Sequence, residues 1–396
     1  MDFSATRAQF DLPDGLIYLD GNSLGPLPYA ARKRLHREID QSWGRDLIRA
    51  WNTAGWMELP TKVGDRIARL IGAPAGSVVA GDSTSINLFK ALAAALSLSG
   101  DRKIILSDSG NFPTDLYIAG GVAKLLGRGH VLKVVAPEDV EASIDDSVAV
   151  LMLTQVDFAT GRLHDMASLN ARARAAGIVT VWDLAHSAGA LPIDLAGAQT
   201  DFAVGCGYKY LNGGPGAPAF IYVRPERQAA AEPALAGWMG HAAPFLFEQA
   251  YRAGEGAERM RVGTPPILSL AALDAALDVW DGIDMRAVRQ QSIRLSERFI
   301  AEVEARCPQL VLASPRDPHK RGSQVSFRSP DGYAMMQALI ADDVIGDFRA
   351  PDIMRFGFTP LYIGEDDVVE AAQRLGRILR DGIWDCAQFR MRQRVT

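Results

Sequence analysis

The sequence has few of the features that would assign it to a secreted, membrane-spanning or disulfide-stabilised protein. It contains only 3 cysteines, Cys206, Cys307 and Cys386, and their odd number and wide spacing form neither a disulfide framework nor a zinc site. No apolar run approaches the length needed to cross a bilayer. The first ten residues lack the basic and apolar regions of a secretion signal. We therefore expect a protein of the reducing cytoplasm.

An excess of charge of one sign is also missing. The chain has 42 Lys and Arg against 47 Asp and Glu, and the resulting net charge of −5 argues against a nucleic-acid or anionic-membrane partner. It has neither a GxGxxG nor a P-loop pattern, so a nucleotide is not expected. What is present is the composition of a globular enzyme, and 396 residues are enough for two domains.

Short apolar strands alternate with helical patterns over the first half of the chain. The predicted strands are residues 78–80, 103–106, 131–135, 148–153 and 178–182, and the helices between them are residues 86–98, 114–126 and 166–176. This alternation predicts an α/β fold with a mostly parallel sheet covered on both faces. The strands that flank Lys209 are too close for a helical crossover, so at least one strand there is expected to run antiparallel.

The pattern changes on both sides of this region. Near the N-terminus we predict one helix over residues 29–49. After Pro266 the predicted helices are residues 267–280, 285–306 and 365–380, and the strands are residues 324–328, 344–348 and 354–358. This second pattern predicts a smaller α+β domain at the C-terminal end, joined by the N-terminal arm.

The stretch around Lys209 is the most informative feature of the chain. An apolar segment leads to Tyr208-Lys209, and a glycine-rich turn then leads to a second apolar segment. Such a turn fixes the stem of the lysine and partly desolvates its amine, which favours the neutral form that imine chemistry requires. An exposed loop lysine is the alternative. Upstream, Asp183-Leu-Ala-His186 follows the strand 178–182, where α/β proteins bind ligands.

Asp183 and Lys209 together suit pyridoxal 5′-phosphate, because a carboxylate keeps the pyridine nitrogen protonated and a lysine holds the aldehyde. The alternative for Asp183 is a cap of the following turn, and for His186 a structural histidine. Thr84 and Ser85 open a helix after a strand, as in an anion site, although ordinary helix capping is the better explanation from these residues alone. Phe112, at the start of Phe112-Pro113-Thr114-Asp115, could stack on the ring or serve as a hydrophobic staple.

These segments resemble the kynureninase family of fold type I pyridoxal phosphate enzymes. The resemblance runs from Tyr18-Leu-Asp-Gly-Asn-Ser-Leu-Gly-Pro26 to Met354-Arg355-Phe-Gly-Phe-Thr-Pro-Leu-Tyr362. It implies an aspartate-aminotransferase-like fold with a seven-stranded, mostly parallel sheet. It also implies residues 1–50 as an arm and helix packing with the small domain, residues 51–283 as the large cofactor domain and residues 284–396 as the small domain.

Carried over position by position, the resemblance assigns the covalent cofactor link to Lys209 and the pyridinium contact to Asp183. The remaining cofactor contacts that it implies are Thr84, Ser85, Phe112, Pro113, Thr114, Asp115, Thr154, His186, Tyr208, Trp238 and Thr264. Tyr208 is a candidate general acid or a phosphate ligand. Arg355 resembles the arginine that binds the substrate carboxylate in a bidentate fork, although singly it would be a surface ion-pair residue. A homodimer with sites completed across its interface is implied as well.

The implied reaction is the hydrolysis of L-kynurenine to anthranilate and L-alanine in tryptophan degradation. Where the vertebrate branch has a histidine and an asparagine near the substrate ring, this chain has Trp43 and Thr264. That pairing resembles the bacterial branch, which prefers kynurenine over 3-hydroxykynurenine. Transamination or cysteine desulfuration on the same scaffold stays open as an alternative, as does a non-enzymatic ligand-binding role.

Overall fold

The computed structural model describes residues 3–393. The strands of this part of the chain are β1 (Ile17–Tyr18), β2 (Val78–Ala80), β3 (Ile104–Asp108), β4 (Val131–Val135), β5 (Val148–Thr154), β6 (Val179–Asp183), β7 (Phe202–Gly205), β8 (Phe220–Val223), β9 (Val311–Leu312), β10 (Gln324–Arg328), β11 (Val344–Ile345), β12 (Asp347–Arg349) and β13 (Ile353–Gly357).

The helices are α1 (Ser4–Arg7), α2 (Tyr29–Arg37), α3 (Ala50–Thr53), α4 (Leu59–Leu70), α5 (Thr84–Ser97), α6 (Pro113–Leu126), α7 (Met166–Ala175), α8 (Pro225–Gln228), α9 (Ile267–Ala276), α10 (Met285–Arg306), α11 (Gly332–Ala341), α12 (Glu365–Arg380) and α13 (Ala387–Arg390). None of the helices described between residues 3 and 393 is both long and apolar enough to cross a membrane.

The large sheet has seven strands in the order β2-β8-β7-β6-β5-β3-β4. Only β8 runs against its neighbours, and the remaining pairs are parallel. The predicted mostly parallel sheet is confirmed, including the reversal after Lys209. Every residue of β5, β6, β7 and β8 is buried because helices pack on both faces, which is why these strands read as continuous apolar runs.

A second sheet is antiparallel, in the order β12-β13-β10-β9, and contacts α10 and α11. The N-terminal arm reaches this part of the molecule through β1, which pairs in parallel with β11. Helix α2 instead packs against α9, and Arg34 of α2 forms an ion pair with Asp274 at 3.2 Å. The expected packing of this helix with the small domain stays a prediction. The domain boundaries stay predictions, and residues 1–2 and 394–396 of those ranges lie outside the described residues.

Two predicted elements differ in their bounds for tertiary reasons. The helix predicted over residues 29–49 is α-helical only to Arg37 and continues as a π-helix, Glu38–Asp46. Glu38 is buried there, and its carboxylate accepts hydrogen bonds from Trp56 Nε1 at 2.9 Å and from Arg34 Nε at 2.6 Å. The strand predicted over residues 344–348 is divided at Gly346, where a Cβ would crowd the backbone carbonyl of β13.

The helix predicted over residues 267–280 also changes type before its end. It is α-helical through α9, and its last turn is the 3₁₀ segment Leu277–Trp280. Both segments are largely buried, so the apolar pattern continues through the change. The sequence pattern therefore predicted the extent of this helical segment and not its change from α-helix to 3₁₀ helix.

Candidate active site

The carboxyl ends of β5, β6 and β7 place three polar groups at one edge of the large sheet. Thr154 and Asp183 are the last residues of β5 and β6, and they stand opposite each other in the parallel register. The backbone N–H of Gln155 donates to the carbonyl of Asp183 at 2.9 Å. Lys209 lies in the turn after β7. This edge of the sheet is therefore the place where open α/β sheets bind ligands.

A cavity opens at this edge. Its lining is Thr84, Ser85, Phe112, Thr114, Asp115, Thr154, Phe158, Asp183, Ala185, His186, Tyr208 and Lys209. The structure thus brings together all the predicted cofactor-site residues except Pro113, Trp238 and Thr264. Pro113 begins α6, between two residues that line the cavity.

The lysine turn places the amine of Lys209 against the imidazole of His186, with 2.9 Å between Nζ and Nε2. Nζ also lies 5.8 Å from the centre of the Tyr208 ring. Burial and then the neighbouring positive charge of Lys209 lower the pKa of His186 well below its usual value. The imidazole is therefore neutral and can accept a hydrogen bond from the amine. A Cβ at Gly207 would collide with the Pro218 carbonyl, so glycine permits the close packing of this turn.

Two buried carboxyl groups, Asp183 and Asp115, face each other inside the cavity. Burial raises the pKa of Asp183, although the Ala185 N–H donates to its Oδ1 at 2.6 Å. Burial and then the charge of Asp183 raise the pKa of Asp115 well above its ordinary value. Oδ2 of Asp115 is buried without a hydrogen-bond partner among the described residues. A protonated ring nitrogen would compensate this acidic pair, so the pair fits the pyridinium of pyridoxal 5′-phosphate.

A helix N-terminus and two aromatic rings line the opposite part of the cavity. Thr84 is the first residue of α5, and the cap Ser83 accepts a hydrogen bond from the Ile86 N–H at 3.4 Å. First-turn amides have no intrahelical acceptors, so this end of the helix fits a phosphate group. Phe112 is 43% exposed and packs edge-on against Phe158, with ring centres 5.1 Å apart. The Phe112 face is thus accessible for stacking.

Arg355 lies in β13 and is 2% exposed. Its Nε donates to Oδ1 of Asp347 at 2.6 Å, and its Nη2 pairs with Oδ2 of the same carboxylate. Nη2 also donates to Ser23 Oγ at 3.0 Å, and Nη1 donates to the Phe158 carbonyl at 2.6 Å. Asp347 stands opposite Arg355 in the antiparallel register of β12 and β13. The bidentate partner in this structure is therefore an internal carboxylate, and the expectation of a surface ion pair is wrong.

Besides Pro113 and Arg355, three further predicted site residues do not line the lysine cavity of the single chain. Trp43 is 58% exposed on the π-helix, and Trp238 is 40% exposed and packs against Phe245. Thr264 is exposed and lines a separate cavity beside Asp82. Their roles stay predictions.

Sequence reasoning gave no role to four residues of this region: Ser23, Phe158, Arg349 and Asp347. Ser23 belongs to the N-terminal motif that carries the resemblance, so its position in that motif was an available signal. Asp347 stands eight residues before Arg355, and only the strand register shows that the two side chains meet. Phe158 follows a predicted strand with no distinguishing pattern.

Similarity to known proteins assigns this chain to a family. The family model described as the kynureninase C-terminal domain matches residues 288–375. The kynureninase of Pseudomonas fluorescens is 50% identical over 397 residues, which cover 98% of this chain and 95% of that protein. The chain belongs to the kynureninase family.

Solved structures with much lower identity share the fold. A cysteine desulfurase from Thermococcus onnurineus NA1 aligns with a TM-score of 0.80 at 20% identity, covering 95% of this chain and 98% of that chain. The lyase C-DES, solved with glycine covalently linked to its PLP cofactor, aligns with a TM-score of 0.79 at 19% identity, covering 93% and 98%. These two structural similarities establish the fold of this kynureninase family member and do not establish its reaction.

Proposed function

We propose that this chain hydrolyses L-kynurenine to anthranilate and L-alanine, with pyridoxal 5′-phosphate as cofactor. One observation carries the proposal: Lys209 and Asp183 meet in one cavity of a chain that belongs to the kynureninase family. Cleavage of 3-hydroxykynurenine to 3-hydroxyanthranilate is a secondary activity. We place the enzyme in the cytoplasm, in tryptophan degradation and the supply of precursors for NAD synthesis.

The bound cofactor supplies an electron sink that stabilises negative charge next to the substrate amine. Lys209 would hold the cofactor aldehyde covalently and, with its amine free, would accept the substrate α-proton. His186, whose neutral ring lies 2.9 Å from the amine, orients the lysine. Asp183, which interacts with Asp115, would hold the ring nitrogen in its protonated form. Thr84 and Ser85 would bind the phosphate, and Phe112 would stack on the ring.

Tyr208 is our candidate donor of a proton to the substrate γ-carbonyl. Burial raises the pKa of its hydroxyl, so the group keeps its proton throughout the neutral range. A group that stays protonated can donate to an oxygen on which negative charge develops as water adds. Phosphate binding is the other role that the position of Tyr208 would suit.

Arg355, which donates to the carbonyl of the cavity residue Phe158, binds the substrate α-carboxylate, and Trp43 and Thr264 favour kynurenine over its 3-hydroxy derivative. Trp43, Trp238 and Thr264 lie outside the lysine cavity of their own chain, so we assign them to the cavity of a second subunit. The proposed assembly is a homodimer with each site completed across the interface. Exposed aromatic side chains at Trp43 and Trp238 support this arrangement.

Cysteine desulfuration finds little support in the cysteines of this chain. A desulfurase needs an accessible thiol near the cofactor to accept sulfur. Cys206 and Cys307 are buried, and burial raises the pKa of the Cys206 thiol, which disfavours its nucleophilic form. Cys386 is exposed, but it lies beyond α12 at the end of the small domain.

The decisive experiment incubates the purified holoenzyme with L-kynurenine and with 3-hydroxykynurenine and follows both anthranilate products by fluorescence. We expect stoichiometric anthranilate and alanine, with higher kcat/KM for L-kynurenine. Absence of anthranilate from a preparation that holds cofactor would refute the function. Equal kcat/KM for the two substrates would refute the assigned roles of Trp43 and Thr264.

A further inference from the structure

A second arginine, Arg349, stands beside Arg355 and shares its carboxylate. Nη2 of Arg349 lies 2.8 Å from Oδ2 of Asp347, and it also donates to Ser23 Oγ at 3.4 Å. Two guanidinium groups are therefore paired with one buried carboxylate. Because Arg355 holds the pKa of Asp347 below its ordinary value against the effect of burial, Asp347 is ionised and the group keeps an excess positive charge.

The nearby carboxyl of Asp20 removes this excess only in part at neutral pH. Burial and then the charge of Asp347 raise the pKa of Asp20 to about 7. Asp20 is therefore protonated in a large fraction of the molecules near neutrality. An incoming anion is the group that would balance the two arginines.

A count of hydrogen-bond donors separates the two arginines. A guanidinium has five N–H donors, and four of those on Arg355 point at Asp347, Ser23 and Phe158. Arg355 thus has one free N–H for a ligand. Arg349 uses only Nη2, and its Nε and Nη1 have no partner among residues 3–393. The free donors of the pair therefore belong mainly to Arg349.

Arg349 is more exposed than Arg355 and lies close enough to two residues of the lysine cavity to influence their pKa values. Its side chain is 37% exposed, against 2% for Arg355. Burial raises the pKa of Tyr208, and the charge of Arg349 is among the effects that oppose this shift. Burial lowers the pKa of His186, and Lys209, Arg355 and Arg349 add to this effect in that order. Arg349 thus acts electrostatically on two cavity residues.

The N-terminal motif connects this arginine pair to the lysine turn. The Gly25 N–H donates to the Tyr208 carbonyl at 2.8 Å, and a Cβ at Gly25 would collide with the Lys209 carbonyl. Two residues earlier, Ser23 Oγ donates to Oδ2 of Asp347 at 2.6 Å. The motif therefore fixes the arginines relative to the lysine.

We propose that Arg349 is a second ligand of the substrate carboxylate. It supplies N–H donors in place of those that Arg355 already uses to bind Asp347. The inference deepens the proposed function and rests on it for the identity of the substrate. Asp347 and Ser23 are positioning residues in this arrangement, because they act through the arginines. The α-carboxylate accepts hydrogen bonds from a free Nη1–H of Arg349 and from the remaining N–H of Arg355.

The test compares binding of L-alanine with that of L-alaninamide, which lacks the carboxylate charge, by the change in visible absorbance of the holoenzyme. In Arg349→Gln we expect the Kd of L-alanine to rise by about 10-fold or more, as for the loss of a charged hydrogen bond, and the Kd of L-alaninamide to change less than about 2-fold. Arg328→Gln is the matched control, because Arg328 lies on the same sheet in an exposed ion pair with Asp352.

A second background separates direct contact from an effect through Arg355. If Arg349 touches the carboxylate, the loss caused by Arg349→Gln persists in Arg355→Gln; if the loss disappears there, or is equal for both ligands, the inference is wrong. Should Arg349→Gln not fold, Arg349→Lys keeps the charge but not the planar fork, and the same criteria apply. Carboxylate-selective binding by an enzyme that leaves L-kynurenine intact would refute the proposed function and not this inference.

Discussion

The lysine side of the candidate site lines the cavity, its arginine side adjoins the cavity at Phe158, and the two sides are assembled in different ways. Asp183 ends β6 and Lys209 follows the adjacent strand β7, so the parallel pairing of these strands brings the two residues to one edge of the sheet. Asp347 and Arg355 meet through the register of two strands of the small sheet, and Ser23 joins them only when the N-terminal arm has docked. The lysine side thus depends on one sheet, whereas the arginine side also depends on the docking of the arm.

The two sides also differ in how their charges are compensated. On the lysine side, burial raises the pKa of Asp183 and of Asp115, and the acidic pair lacks an arginine partner within the described residues. On the arginine side, Arg355 lowers the pKa of Asp347, and positive charge is in excess. One side is thus prepared for a cationic ring nitrogen and the other for a substrate anion. The following substitutions test that contrast, from the largest expected effect to the smallest.

Replacement of Lys209 by Ala removes both the covalent link and the proton acceptor. We expect kcat to fall by at least about 10⁴-fold, because the same amine serves successive steps. Steady-state kinetics on L-kynurenine measure this loss. The control is Lys124→Ala on the exposed face of α6, which should keep normal activity. Substantial turnover by Lys209→Ala would contradict the central role of the lysine.

Asp183→Asn tests the acidic side without changing its shape. An amide cannot hold the ring nitrogen protonated, so we expect kcat to fall by about 10²–10³-fold while cofactor still binds. Asp201→Asn is the matched control: Asp201 is equally buried but lies at the opposite end of β7, where Arg227 Nε donates to it at 2.8 Å. Similar kinetic losses in both variants would show that Asp183 has a structural role alone.

Asp347→Asn tests the arginine side. Loss of the shared carboxylate leaves Arg349 and Arg355 partly uncompensated, and we expect the free energy of unfolding to drop by about 3–5 kcal/mol. KM for L-kynurenine should rise more than kcat falls, since the arginines act on binding. Urea denaturation and kinetics measure the two effects. A fall in kcat at unchanged KM would show that Asp347 does not act on substrate binding.

Asp20→Asn should produce the smallest effect, and the size of that effect depends on pH. Burial and the charge of Asp347 raise the pKa of Asp20 to about 7, whereas in the unfolded chain a carboxyl titrates near about 4. The native state therefore binds this proton more tightly, and the contribution of Asp20 to stability is present at low pH and is lost as pH rises through about 7.

Asparagine cannot ionise, so the variant should be more thermostable than wild type at pH 8, by about 2–4 °C in Tm. The difference should shrink at pH 5, where wild-type Asp20 is protonated. Thermal unfolding at the two pH values measures it. A difference that does not depend on pH would show that Asp20 does not titrate in this range.

Local patterns accounted for the lysine side well. Lys209 stands in a glycine-rich turn between two apolar strands, and Asp183 ends a strand of a parallel sheet, so sequence order already predicts their proximity. The arginine side was predicted only in part. Arg355 was identified through the resemblance, but its partner Asp347 depends on the register of β12 and β13. The π-helix at Glu38–Asp46 was missed because the bonds of Glu38 to Trp56 and Arg34 are not visible in helical periodicity.

By itself, the sequence determined the α/β class, the place of the lysine turn and the acid that faces it, because strand patterns and turn residues act over short distances along the chain. The tertiary structure alone decided which donors of Arg355 remain free and that Arg349 stands beside it. It also decided that Ser23 connects the arginine pair to the lysine turn. The arginines and Asp347 meet through the register of β12 and β13, and Ser23, more than three hundred residues away along the chain, reaches them only because the N-terminal arm docks on the small sheet.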